Sequence, residues 1–111
     1  MNNLVFIVED NPVDQSILRM HFEEVLGNYA VQTFSNPEDM FAHLKEKPFA
    51  VVLDHFFADK KGKTGLYYLK ALKKKYSSIP VIYYTTLDDK TVNGAIIQAS
   101  KNIFIIALYI V

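Results

Sequence analysis

Leu4-Val5-Phe6-Ile7-Val8-Glu9-Asp10-Asn11-Pro12 decides how this chain is read. Five apolar residues run without a polar interruption, too short for a helix and without the alternation of a half-buried strand. Such a run fits a strand covered on both faces, as in a parallel sheet. Two acids close it, and Asn11-Pro12 breaks it. A buried strand that ends abruptly on carboxylates places charge at one rim of a sheet.

Working outward, the same grammar recurs. Phe49 to Leu53 is a second unbroken apolar run and ends on Asp54. Val81 to Tyr84 follows Pro80 and ends on Thr85-Thr86, and Ile103 to Ile106 forms a further strand. Tyr29 to Phe34 completes a set of five. Between them lie helical segments. One spans about residues 13 to 26, with Val13, Ile17, Leu18, Met20 and Val25 among its apolar positions and Gly27 as its stop. Ser35-Asn36-Pro37 starts a short second helix with Met40, Phe41 and Leu44 inward, since proline suits the first helical turn. Leu66, Leu69 and Leu72 mark a third, with lysines on its outer side after a polar loop from Ala58 to Thr64. Asp88 or Asp89 caps a fourth, which turns Val92, Ala95, Ile96 and Ala99 inward. Five strands alternating with four helices predict a doubly wound α/β domain over residues 1–111, with right-handed crossovers. A fifth helix, expected after the last strand, is absent from the sequence. The reading therefore expects a chain truncated after strand five, with Leu108 to Val111 or the strand-five edge open to a second copy as a homodimer.

Composition narrows the function. Lys+Arg and Asp+Glu balance at 12 each, so no global field favours nucleic acid or an anionic membrane. Lys73-Lys74-Lys75 reads as the wet face of a helix, and no basic recognition helix stands out. Without cysteine there is no disulfide, thiolate or cysteine-zinc chemistry, and His21, His43 and His55 lack metal-ligand spacing. The apolar stretch from Ile103 to Val111 falls well short of the roughly 20 residues that span a bilayer. A soluble, cytoplasmic setting fits these features.

The chemistry belongs at the strand ends. Open α/β sheets bind their ligands beyond the carboxyl ends of the strands, where strand order reverses. Glu9 and Asp10 end strand one and Asp54 ends strand three. In the flavodoxin-like order 2-1-3-4-5, adopted from that fold type, these strands are neighbours and the three carboxylates converge. Close carboxylates cannot all ionise without compensation, and a hard divalent cation such as Mg²⁺ supplies it. Asp54 would then be a carboxylate nucleophile able to form an acyl phosphate. The plainer alternative is that acids start solvated loops. Thr85 ends strand four at the same rim, where it either bonds a phosphoryl oxygen or simply suits a strand end.

At these residues the sequence resembles the receiver domains of two-component response regulators. The matching pieces are Phe6-Ile7-Val8-Glu9-Asp10-Asn11, Val51-Val52-Leu53-Asp54, Gly65-Leu66 and Ile79-Pro80-Val81-Ile82-Tyr83-Tyr84-Thr85. The resemblance implies a non-enzymatic signalling module that takes a phosphoryl group from a histidine kinase or phosphotransfer protein. It implies Asp54 as phosphoacceptor and Mg²⁺ held by Glu9, Asp10, Asp54 and the backbone carbonyl of Phe56. It also implies Thr85 as a switch hydroxyl and Phe104 as a switch aromatic, with an unknown protein downstream.

Two departures accompany it. The family carries a lysine three residues after the strand-five aromatic, where this chain has Ala107, and no lysine follows Lys101. That lysine lends positive charge to the phosphoryl oxygens, so its loss motivates an alternative: a pseudo-receiver that keeps the fold as an interaction module without phosphotransfer. The loop after Asp54 also reads about three residues longer than is usual, with Ala58 where proline is common. A hydrolase would want a second acid two residues past the nucleophile, where Phe56 stands. A flavin carrier would want glycine and hydroxyl donors after strand one, where Glu9-Asp10 would repel phosphate.

Overall fold

A computed structural model describes residues 2–54, 65–85 and 103–107, with side chains described through Tyr83. The five strands are β1 (Leu4–Val8), β2 (Ala30–Phe34), β3 (Ala50–Asp54), β4 (Val81–Thr85) and β5 (Ile103–Ala107). The helices are α1 (Pro12–Met20), α2 (Pro37–Ala42) and α3 (Gly65–Lys75). All strand pairs are parallel and their order is β2-β1-β3-β4-β5, the order adopted above from the flavodoxin-like fold type. The fourth helix, the loop from 58 to 64 and Leu108 to Val111 lie outside the described residues.

Alternation along the buried strands divides the core between the two faces of the sheet. Phe6, Val8, Val51, Leu53, Val81 and Tyr83 join Phe34, Met40, Leu44, Tyr68, Leu69, Leu72 and Ile79 in one cluster, under α2 and α3. Val5, Ile7 and Val52 point the other way and meet Leu18 and Phe22 from α1 and the turn that extends it. Both faces of β1 and β3 are thus covered, which is why those strands are apolar throughout.

Helix starts are set by asparagine. The Asn11 side-chain oxygen accepts the backbone N–H of Val13 at 2.9 Å and of Asp14 at 3.2 Å, with Pro12 in the first turn. Asn36 caps α2 in the same way, accepting the N–H of Asp39 at 2.9 Å ahead of Pro37. Each cap satisfies donors that have no intrahelical partner, and each proline occupies a position where no N–H is needed.

Several expectations need correction. The first helix does not run evenly to Gly27: the α-helix ends at Met20 and His21–Val25 form a π-helical turn. Gly27 and Asn28 then take positive φ, 69° and 65°, and end the segment. Val13, Ile17, Met20 and Val25 face outward, and only Leu18 of the five apolar positions packs on the core. The apolar residues of this helix occur on two sides, and spacing cannot say which side the sheet takes. Leu44 leaves α2 and begins a single 3₁₀ turn, although it stays buried. Phe49 precedes β3 and is half exposed. Not all lysines of α3 face outward. Lys73 is 4% exposed, and its Nζ donates to the carbonyls of Ser77 and Ile79, which lead into β4. Burial pushes its ammonium below the usual lysine range.

A carboxylate cluster at the strand ends

Parallel pairing of β1 and β3 runs through Val8↔Leu53, so Glu9 emerges beside Asp54. The backbone N–H of Glu9 extends the ladder to Phe34 of β2 at 3.0 Å and fixes its height. The Asn11 N–H donates to Glu9 Oε1 at 2.9 Å, and the Gln15 amide donates to the Glu9 carbonyl at 2.7 Å. The start of α1 therefore holds the first acid in place. The sequence marks Asn11 as the residue that breaks the strand ahead of Pro12, but not as a partner of Glu9, and nothing in it marks Gln15.

Glu9, Asp10 and Asp54 each bring a carboxylate oxygen into a group whose atoms all lie within 4.8 Å of one another. Glu9 is 2% exposed and Asp54 8%, so two of the three carboxyls are largely removed from water. Burial pushes the Glu9 carboxyl up to about 8, against the opposing pull of the Asn11 N–H, and hydrogen bonding and repulsion from Asp54 add to the rise. The rise favours a protonated Glu9 that shares a hydrogen bond with Asp54 when no cation is bound. Hard oxygen donors that share one desolvated pocket at this spacing suit a small divalent cation, which removes the repulsion that the proton otherwise relieves. Tyr83 lies wholly buried in β4, and burial first, then the charge of Asp54, holds its phenol well above the usual range.

The remaining expected residues are placed through the backbone alone. Thr85 is the last residue of β4 and Asp54 pairs with Tyr84, one position before it. Ala107 ends β5 directly opposite Thr85, and Phe104 pairs with Ile82 further down. Phe56 lies outside the described residues. Among the described residues no helix is long and apolar enough to cross a membrane.

The model of the response regulator receiver domain matches residues 5–106. The chain belongs to that family. The receiver domain is 29% identical over 86 residues to the probable C4-dicarboxylate response regulator DctR of Halalkalibacterium halodurans. That match takes in 77% of this chain but only 36% of the relative, so the chain spans about a third of its length. Among solved structures, the Vibrio cholerae chemotaxis protein CheY4 superposes with a TM-score of 0.81 at 14% identity, covering 96% of this chain and 87% of that one. The Thermotoga maritima response regulator TrrA, solved in complex with Mg²⁺-BeF, gives 0.75 at 19% identity, covering 97% and 89%. These structural likenesses establish the fold, and the family match over residues 5–106 gives the receiver class of two-component signalling modules.

Proposed function

We propose that this receiver domain accepts a phosphoryl group on Asp54 from a histidine kinase or phosphotransfer protein and thereby changes the binding of a downstream protein. The observation that carries the reading is the convergence of Glu9, Asp10 and Asp54 at the carboxyl ends of adjacent strands. Glu9, Asp10, Asp54 and the carbonyl of Phe56 would hold Mg²⁺, which supplies positive charge to phosphoryl oxygens when bound. The Mg²⁺-BeF complex of TrrA, a protein of the same fold, supports that ligand chemistry. An Asp54 carboxylate oxygen forms the new bond to phosphorus while the bond to the donor imidazole nitrogen breaks, and that nitrogen keeps the electron pair. Thr85 supplies a hydroxyl toward the phosphoryl oxygens, and Phe104 serves as the aromatic that repacks with it. A cytoplasmic setting follows from the donor.

Incubation with Mg²⁺ and acetyl phosphate should add one phosphoryl mass, and Asp54→Ala should abolish the adduct. Absence of any adduct with every donor would overturn the reading.

Ala107 opposite Thr85 favours a second reading, a pseudo-receiver that binds partners without phosphotransfer. An oriented cation at such a site is worth about 3 kcal/mol to a developing anion, which alanine cannot provide. Titration with Mg²⁺ and beryllofluoride separates the two: a phosphoacceptor shifts its tyrosine fluorescence and amide resonances, and a scaffold does not.

A further inference from the structure

The receiver domain is neutral overall but its charge is unevenly placed. Residues 1–54 carry nine of the twelve acids and three of the twelve Lys and Arg residues. Residues 65–85 contain four lysines and no acid. The strand order turns this difference along the chain into one across the molecule. Elements from the acidic half lie at the β2-β1-β3 side, and α3 leads from β3 to β4.

Two helices on opposite faces of the sheet express the contrast. On α1, Val13, Ile17 and Met20 form an exposed stripe at helical spacing, with exposed Asp14 and Glu24 beside it. Val13 is 66% exposed, and no described element covers the stripe. On α3, Tyr67, Lys70 and Lys74 recur at the same spacing on the exposed side, with Lys75 next to them. Lysine stems and a tyrosine ring cover apolar surface well while their charged ends reach flanking carboxylates.

We propose that copies of this chain associate head to tail, with the α1 stripe of one copy against the lysine face of α3 in the next. The two surfaces differ, so the contact is heterologous, and each copy keeps one face free for a further copy. One helix against one helix is a small contact. The association is therefore weak and depends on the opposed charges to orient it. It does not depend on phosphoryl chemistry at Asp54.

Sedimentation equilibrium of the full chain tests this between about 20 and about 300 mM salt, where the screening length falls from about 20 Å to about 6 Å. Mass above the monomer is expected at low salt, with the dissociation constant rising about tenfold or more at high salt. Ile17→Lys alone, and Lys70→Glu with Lys74→Glu, should each abolish the association. An equimolar mixture of the two variants should restore a species of two chains and no larger, because each retains the face that the other has lost. If circular dichroism shows either variant unfolded, Val13→Ser and Lys75→Ser, both at exposed positions, take their place. A dissociation constant weaker than about 1 mM at low salt overturns the proposal. So does association indifferent to salt, or a dimer that survives either set of substitutions, as a contact through the β5 edge would.

Discussion

The two faces of the sheet are built to different standards. Under α2 and α3, thirteen buried residues interlock, including the edge-on pair Phe6 and Phe34 with ring centres 5.0 Å apart. On the α1 face, among the described residues, Val5, Ile7 and Val52 are buried, and half-exposed residues such as Leu18 and Phe22 surround them. The dense face holds the strands together. The thin face carries the helix whose first residues orient Glu9, so the acid cluster is tied to the more weakly packed side.

This contrast can be broken first by truncation. Leu69→Ala and Leu72→Ala, on the dense face, should each cost about 3 kcal/mol in urea unfolding, whereas Leu18→Ala should cost about 1 kcal/mol. Equal losses would mean that the faces share the stability evenly. The acid cluster gives the next effect. The Glu9 carboxyl is raised from 4.5 to about 8, so the folded state binds more protons than the unfolded one across that interval. Stability in a chelator should therefore fall on the order of 2 kcal/mol as pH rises from about 5 to about 8.5, and Mg²⁺ should restore it. A flat profile would mean that Glu9 is ionised throughout.

Smaller effects test the ties between faces and helices. Asn11→Ala removes the α1 cap and should cost about 1 kcal/mol. It should weaken Mg²⁺ binding only slightly, because the backbone N–H to Glu9 remains. Smallest of all, Ile17→Ser on the outer side of α1 should change stability by less than about 0.5 kcal/mol, as befits a position that supports no core. A larger loss would place that stripe within the packing of the domain.

Much of this was legible in the chain because buried parallel strands write themselves as unbroken apolar runs. Leu4 to Val8 and Val81 to Thr85 could be bounded nearly to the residue, and Glu9, Asp10 and Asp54 follow from where such runs end. The order of strands came from a resemblance, since five similar runs carry no label for their neighbours. Helix α1 was harder: Val13, Ile17 and Met20 form as good an apolar stripe as Leu18 and Phe22, and only tertiary packing chooses between them. Nothing in His21 to Val25 announces a π turn. Lys73 was misjudged because charge pattern assumes that lysines seek water, whereas this one meets two backbone carbonyls after the helix ends.

The pairing of β1 with β3 has a consequence for the order of events when the chain folds. Glu9 and Asp54 are distant in sequence and meet only through that register. β2 and its flanking helices must be looped out before the two strands can close, a slow step in any parallel sheet. No partly folded species that lacks the central pair can gather the three carboxylates. On the proposed reading, Mg²⁺ binding should therefore be a late reporter during refolding, and its appearance should time the closing of the middle of the sheet.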